Sequence, residues 1–214
     1  MTFENFKKLL PKIHKMSIPG AVAQQEMAPA MRQKAMEKLD LAEKNPRHAA
    51  VLLLCYPKFG EVYFVLIQRP VYEGVHSGQI ALPGGKVETE DASYKHAALR
   101  ETFEEIGVEV PIIKVIKEMT KTYIPPSNFW VHPFLGYSEE LPVFVAQEEE
   151  VAAIIEVSLE ELLADKNIFT DVLTTSYAKA IEVPAFKLNG YRVWGATAMM
   201  LNELKVFLKT VIQA

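Results

Sequence analysis

The chain has 214 residues, half of them hydrophobic, and carries a formal net charge of -4 at pH 7. This composition supports one folded domain with a sizeable core and excludes global disorder. The negative balance argues against a general nucleic-acid binder, because phosphate contacts need a basic surface. A phosphorylated small molecule stays compatible with an acidic protein when divalent cations bridge the like charges.

The cysteine content and the apolar runs bear on the compartment. The single cysteine, Cys55, lies in an apolar run and is predicted to be a core residue, and one thiol cannot form an internal disulfide. The N-terminus lacks the apolar stretch of a signal peptide, and no apolar run has the length that crosses a bilayer. We therefore expect a cytoplasmic protein with no membrane partner, either a monomer or a homodimer.

The first 46 residues are predicted to form a polar helical extension, broken at Pro11 and in the segment 17–20. Several methionines follow at helical spacing in 26–44, which is typical of a packing face and occasionally of a dimer contact. The remaining residues, 47–214, form the predicted main domain.

The main domain begins with two apolar runs, residues 48–57 and 61–69, around a glycine-containing turn, which predicts a β-hairpin. Later strand-like segments flank the turn at 125–128, and the chain ends in a long amphipathic helix preceded by a strand or turn. Strands in the middle with helices distributed along the chain predict a layered α/β or α+β domain.

The most strongly patterned helix spans residues 91–107. Asp91 or Ser93 is suited to cap its start, and Gly107 ends it. A double glycine, Gly84 and Gly85, precedes it and allows a tight turn whose backbone approaches a ligand closely.

The helix carries three glutamates, Glu101, Glu104 and Glu105, at positions that share one face. Clustered carboxylates raise one another's pKa unless a positive group lies among them, and a hard divalent ion such as Mg²⁺ or Mn²⁺ is suited to oxygen ligands. The competing interpretation is an ordinary solvated face, in which Arg100 pairs with Glu104 one helical turn away. The glycine turn at Gly84 and Gly85, the acid Asp91 before the helix and the final Gly107 favour the metal site.

This combination resembles the signature of the Nudix hydrolases, G-x5-E-x7-R-E-U-x-E-E-x-G-U, where U is aliphatic. Asp91 stands at the loop-acid position, one residue further from Arg100 than in the signature, and Thr102 occupies the first aliphatic position. The positions that match are Gly85, Arg100, Glu101, Glu104, Glu105, Gly107 and Val108.

A branch similar to coenzyme A pyrophosphatases has the same aspartate and the same longer spacing. The resemblance continues upstream through Arg69 and the stretch HSGQIALPGG at 76–85, and covers about residues 47–205. Three positions depart from it: Pro70, Gly74 and Leu82 stand where the branch usually has Ser, Arg and Phe. The absent arginine weakens the case for coenzyme A as substrate, because arginine binds phosphate well.

The resemblance implies a Nudix fold, in which a mixed sheet lies between helices, and a Nudix hydrolase domain at 47–214 with the N-terminal extension outside it. It implies that water attacks a nucleoside diphosphate linked to another moiety, with Mg²⁺ or Mn²⁺ as the cofactor. The implied metal ligands are Glu101, Glu104, Glu105 and the carbonyl of Gly85. Arg100 would pair with Asp91 or with a metal-bound glutamate.

The general base has several candidates. The resemblance allows a glutamate of the signature, such as Glu101, to be the base. It also allows an acid on a distant loop, and Glu150 matches the position of that acid. Glu148 and Glu149 compete for that role, and a solvated acidic loop is the alternative for all three.

Four residues are candidates for substrate contacts: Arg69, His76, Gly84 and Tyr123. His76 can instead bond to its own loop, and Arg69 can extend along the surface. Tyr123, like Phe129 and Trp130, would stack on a base, although buried strand aromatics are more usual. Trp194 is predicted to be a core residue.

Three functions remain open. The first is a metal-dependent pyrophosphohydrolase of coenzyme A or a similar diphosphate. The second is the same chemistry on ADP-ribose, NADH or a nucleoside triphosphate. The third is a non-catalytic Nudix-like module that binds nucleotides or a partner, which the intact glutamate set argues against.

Overall fold

The computed structural model describes residues 1–30, 32, 36, 44–74, 76–173 and 180–214. Most of the predicted methionine-bearing helix lies outside these residues. No described helix is long and apolar enough to cross a membrane.

The helices and strands of the described residues are as follows. The helices are α1 (Phe3–Lys15), α2 (Ala21–Gln25), α3 (Tyr94–Ile106), α4 (Leu159–Leu163) and α5 (Gly195–Gln213), with 3₁₀ turns at Val110–Ile112 and Asp165–Asn167. The strands are β1 (Arg47–Lys58), β2 (Glu61–Gln68), β3 (Ile80–Ala81), β4 (Gly84–Lys86), β5 (Lys114–Glu118), β6 (Thr122–Ile124), β7 (Phe129–Tyr137), β8 (Ala153–Ser158), β9 (Ile168–Leu173), β10 (Ile181–Leu188) and β11 (Tyr191–Trp194).

The main sheet is built around β1, which pairs in parallel with β7 and antiparallel with β2. Among the described residues the strand order is β3-β2-β1-β7-β5, with β4 on β1, β6 on β7 and β8 on β2. The predicted hairpin is therefore confirmed, with a turn at Phe59 and Gly60, whose φ angles are 53° and 77°.

Both faces of β1 are covered, which explains its nearly continuous apolar sequence. Ala50 and Leu52 pack with Ala97 and Ile106 of α3 on one face. The other face packs against α1 and α5, and the predicted core residue Cys55 lies there, fully buried. The predicted mixed sheet between helices is confirmed.

The N-terminal helices pack on this same core. Phe6 and Ile13 of α1 are fully buried in the cluster that also contains α5, and Val62 of β2 donates its backbone N–H to Met1 O. The predicted break at Pro11 is wrong, because Pro11 lies inside α1 on its exposed side. The predicted break at 17–20 is confirmed.

The segment after α4 forms a second sheet, of which the sequence predicted only the strand or turn before the final helix. Strands β9, β10 and β11 are consecutive and antiparallel. The dipeptide Asn189-Gly190 joins the last two, with φ angles of 45° and 80°. Asn-Gly between apolar runs is a strong hairpin signal, so this pair of strands was detectable.

The burial of α1 gives a stability prediction. Replacing Phe6, which is fully buried, with Ala should lower the free energy of unfolding by about 3–5 kcal/mol, because the cavity and the lost burial both act. The matched change Phe59→Ala, at a side chain 86% exposed, should stay within about 0.5 kcal/mol of wild type. Urea unfolding of both variants measures the difference. Equal stabilities would show that α1 is not part of the folded core.

Candidate active site

The glycine turn brings β4 against β1 and against α3. A Cβ atom at Gly84, whose φ is 142°, would overlap the Ala50 carbonyl, and one at Gly85 would overlap the Glu101 carboxylate. Position 84 therefore requires glycine, because the atoms that a Cβ would meet include backbone. The atoms nearest to Gly85 belong to the end of the Glu101 side chain, whose carboxylate lies directly over the turn.

Helix α3 is fixed at both ends and on its buried side. Ser93, not Asp91, caps its start and accepts a hydrogen bond from the His96 N–H at 3.1 Å, and Gly107 ends it with a φ of 71°. Thr102, at the aliphatic position of the signature, is fully buried and donates its hydroxyl to Ala98 O at 2.7 Å. A polar residue is tolerated there because its hydrogen bond is satisfied within the helix.

Asp91 binds the guanidinium of Arg100 through both oxygens. Arg100 Nε donates to Oδ1 at 3.1 Å and Nη2 to Oδ2 at 2.9 Å, and the Asp91 side chain is 1% exposed. His96 Nδ1 lies 2.9 Å from Oδ1, and the Glu88 N–H donates to Oδ2 at 2.9 Å. The hydrogen bonds from Arg100 hold the pKa of Asp91 well below its usual range, against the opposing effect of burial.

Arg100 also reaches two of the glutamates. Its Nη1 donates to Glu101 Oε1 at 3.0 Å and to Glu104 Oε2 at 2.7 Å, and its Nη2 donates to Lys86 O at 3.1 Å. One guanidinium thus joins the loop, the turn and the exposed face of α3.

Glu105 is the buried member of the set. Its residue is 2% exposed, and its Oε2 accepts the Gly84 N–H at 2.7 Å. Burial raises the pKa of Glu105 to about 8, although the Gly84 hydrogen bond and the charge of Arg69 oppose the shift. The negative charges of Glu101 and Glu150 add to it.

The loop that follows β7 brings Glu150 to this group. The Gln147 N–H donates to Glu105 O at 2.9 Å, so the loop is attached to the end of α3, and Glu150 N–H donates to Gln147 Oε1 at 2.8 Å. Burial is the main cause of a raised pKa at Glu101, Arg100 opposes it, and the charge of Glu150 contributes. Glu150, predicted from a distant loop, therefore lies near two box glutamates.

The donor chemistry fits a hard divalent ion, but the carboxylates are not gathered around one point. Within the described ranges no group of three or more His, Cys, Asp or Glu side chains is arranged to hold a metal ion. Arg100 binds one oxygen each of Glu101 and Glu104, and the Gly84 N–H binds one oxygen of Glu105. The assignment of these three glutamates as metal ligands stays a prediction. The burial of Glu105 and its raised pKa nevertheless indicate a site that a positive ion would stabilise.

A pocket of about 480 Å³ adjoins the turn, and Gly84, Gly85 and Lys86 line one part of it. Arg69 and His76 line it as well. Arg69 Nε is buried and makes no hydrogen bond within the described part of the chain. His76 Nδ1 lies 3.1 Å from Gln79 Oε1, and burial lowers the pKa of the ring.

Two sequence predictions at the pocket need correction, those for Tyr123 and Trp194. Tyr123 is 3% exposed and donates its hydroxyl to Asn128 Oδ1 at 2.9 Å, so it supports the 125–128 turn instead of facing a substrate. Gly84 lines the pocket and its N–H binds Glu105, and its contact with substrate stays a prediction. Trp194, predicted to be core, is partly exposed and lines the pocket. Its position depends on how β11 and α5 pack against the sheet, which the local sequence does not specify.

The sequence comparison agrees with this geometry. The sequence model described as the NUDIX domain matches residues 46–175. The chain belongs to the Nudix family. It is a hydrolase that acts on pyrophosphate bonds, and members of this family generally use divalent metal ions.

Relatives and structures support the family assignment. A Nudix hydrolase named NudL from Salmonella paratyphi B is 34% identical over 167 residues, which cover 75% of this chain and 82% of the relative. NudL of Yersinia enterocolitica is 30% identical over 163 residues, covering 75% and 80%.

Two solved Nudix structures share the fold. RenU of M. smegmatis has a TM-score of 0.53 at 18% identity, covering 77% of this chain and 87% of that chain. A C. elegans Ap4A hydrolase binary complex has a TM-score of 0.52 at 16% identity, covering 77% and 98%. At these identities the similarity shows the Nudix fold alone.

The pKa of Glu105 predicts a pH effect on the metal-free protein. Because the pKa of Glu105 in the folded state is about 8 against an ordinary 4.5, the folded protein holds the proton more tightly. The stabilisation that comes from this proton on Glu105 is therefore fully present below pH 4.5 and is lost as the pH rises to 8. Glu105→Gln removes this titration and keeps an acceptor for Gly84.

The free energy of unfolding is measured with urea in the presence of EDTA at several pH values. Between pH 5 and pH 8 it should fall by about 1–3 kcal/mol more for the wild type than for Glu105→Gln. Glu148→Gln, a substitution at an exposed glutamate, serves as the matched control. Its free energy of unfolding should change with pH as that of the wild type does. Parallel curves for all three proteins would contradict a buried, proton-binding Glu105.

Proposed function

We propose that the protein is a divalent-metal-dependent pyrophosphohydrolase that cleaves a nucleoside diphosphate linked to another moiety, with Mg²⁺ or Mn²⁺ as its cofactor. The supporting observation is the buried Glu105 carboxylate of α3, which accepts the Gly84 N–H at a glycine turn that lines a pocket. The negative charges of Glu101 and Glu150 act on the pKa of this carboxylate. A cluster of acids of this kind is suited to binding a diphosphate only through a cation.

Glu101, Glu104, Glu105 and the Gly85 carbonyl are the residues that would hold the metal. When bound, the ion supplies charge neutralisation for the diphosphate and lowers the pKa of a water molecule. Arg100 binds one oxygen each of Glu101 and Glu104, so the second oxygen of each carboxylate would be available to the ion. The two hydrogen bonds from Arg100 to Asp91 would hold the guanidinium in this position.

The protein groups then perform the remaining steps. Glu150 accepts a proton from the attacking water, whose oxygen bonds to one phosphorus while the bond between the bridging oxygen and that phosphorus breaks. The products are two phosphate monoesters. Arg69 and His76 are the proposed substrate contacts, which is supported by their position in the lining of the pocket.

Coenzyme A or a derivative is the proposed substrate, supported by the aspartate at position 91 and the spacing that follows it. ADP-ribose, NADH and nucleoside triphosphates are the alternatives with the same chemistry. The non-catalytic binding module that the sequence left open accounts poorly for an unfavourable buried carboxylate and disagrees with the family assignment.

A panel of these compounds with Mg²⁺ or Mn²⁺ tests the proposal. Coenzyme A should yield 3′,5′-ADP and 4′-phosphopantetheine, identified by mass spectrometry. Glu105→Gln should lower kcat/KM at least about hundredfold and weaken metal binding, because it removes a ligand charge. Glu109→Gln, an exposed change just beyond α3, should match wild type. Unchanged turnover in Glu105→Gln would refute the metal assignment, and cleavage of another panel member alone would refute coenzyme A.

Glu150 is tested separately from the metal ligands. Glu150→Gln should lower kcat about 10²–10⁴-fold, the usual contribution of a general base, while the metal affinity measured by calorimetry stays close to wild type. Glu149→Gln, its exposed neighbour, is the control. If Glu149→Gln lost activity and Glu150→Gln kept it, the base would be assigned to the wrong acid.

A further inference from the structure

The pocket beside the glycine turn extends between the sheet and helix α5. Its floor is formed by side chains that belong to the main hydrophobic core. They are Val51, Leu82, Val131 and Met200, each at most 8% exposed. None of these four side chains carries a hydrogen-bonding N–H or O–H group, so the floor is suited to an aliphatic ligand group.

The glycine turn connects the pocket with the acidic site. Gly84, Gly85 and Arg69 all line the pocket, and the Gly84 N–H donates to Glu105 Oε2 at 2.7 Å. A diphosphate that lies at the glutamates can therefore extend one of its two substituents into the pocket without leaving the site.

Two large aromatic side chains line the pocket, Phe129 and Trp194. The Arg47 guanidinium lies 4.2 Å from the centroid of the Phe129 ring, so one face of that ring is already covered. A nucleobase needs stacking surfaces and hydrogen bonds at its edge, whereas an aliphatic chain needs only the apolar floor.

Several walls of the pocket lie outside the matched region 46–175. Pro29 precedes it, and Ile181, Trp194 and Ala196 follow it. The N-terminal part is held to α5 by the buried Glu203, whose carboxylate accepts hydrogen bonds from Gly20 N–H at 3.1 Å and from Gln24 Nε2 at 3.0 Å. These flanking segments are thus ordered against each other and shape the pocket.

We infer that this pocket selects an aliphatic group on the distal phosphate of the diphosphate substrate, and that the flanking segments determine this selectivity. The inference rests on the proposed hydrolysis of nucleoside diphosphate derivatives and specifies the chemistry of the second moiety. Burial of each methylene group should raise kcat/KM about three- to fourfold, as expected from the transfer of apolar surface out of water.

The test uses adenosine 5′-diphosphate esterified on its β-phosphate with methyl, butyl or octyl alcohol. Hydrolysis of each ester releases AMP and the alkyl phosphate, and kcat/KM should rise at least about tenfold from the methyl to the butyl ester. Calorimetry with the α,β-methylene analogues, which cannot be hydrolysed, should show the same order of affinity.

Ala196→Leu fills part of the pocket and should lower the ratio of kcat/KM for the octyl ester to kcat/KM for the methyl ester at least about tenfold. Ala21→Leu, at an exposed position of α2, is the matched control and should keep the wild-type preference. Ile181→Ala, which shortens another wall residue, provides a second variant and should also reduce the octyl preference.

Equal kcat/KM values for the three esters, or equal effects of Ala196→Leu on all of them, would overturn the inference and leave the proposed function intact. Cleavage of coenzyme A or ADP-ribose without cleavage of any alkyl ester would also overturn it. Failure of every nucleoside diphosphate derivative would overturn the proposed function and the inference together.

Discussion

The bidentate pair between Arg100 and Asp91 is the interaction on which the site geometry depends. It attaches the loop after the glycine turn to helix α3, and the same guanidinium binds Glu101, Glu104 and the Lys86 carbonyl. Breaking a buried pair leaves an uncompensated charge, so each partner holds the other in place. The extra residue between Asp91 and the helix is accommodated because Ser93 provides the cap and leaves the aspartate free for Arg100.

The second constraint is an excess of negative charge. Arg100 forms ion pairs with Asp91, Glu101 and Glu104. The buried Glu105 is stabilised in its charged form by the hydrogen bond from the Gly84 N–H and by the charge of Arg69. The protein compensates for part of this excess by raising the pKa of Glu105. A divalent ion is the simplest additional charge that such a site can accept, and it would replace the proton at neutral pH.

Strand β1 connects this acidic site with the apolar pocket. Its residues alternate between the face that carries α3 and the face that carries α1 and α5. Strand β4 pairs with β1, and its glycines contact both the glutamates and the pocket. The residues of the family signature form the acidic site, and the flanking segments form walls of the pocket. Substitutions in the flanking segments can therefore change the proposed selectivity without changing the residues that carry out hydrolysis.

The sequence by itself determined the parts that depend on local spacing: the first hairpin, the end of α3 at Gly107, and the acids of the signature. It also identified the glycine turn, where the close approach of the β1 backbone permits no side chain at Gly84. Only the tertiary structure decided which carboxylate is buried, because Glu104 and Glu105 are neighbours on a helix and differ in what packs against them. The same holds for Tyr123, which is buried, and Trp194, which lines the pocket: their surroundings come from residues distant in the chain, which no local pattern specifies.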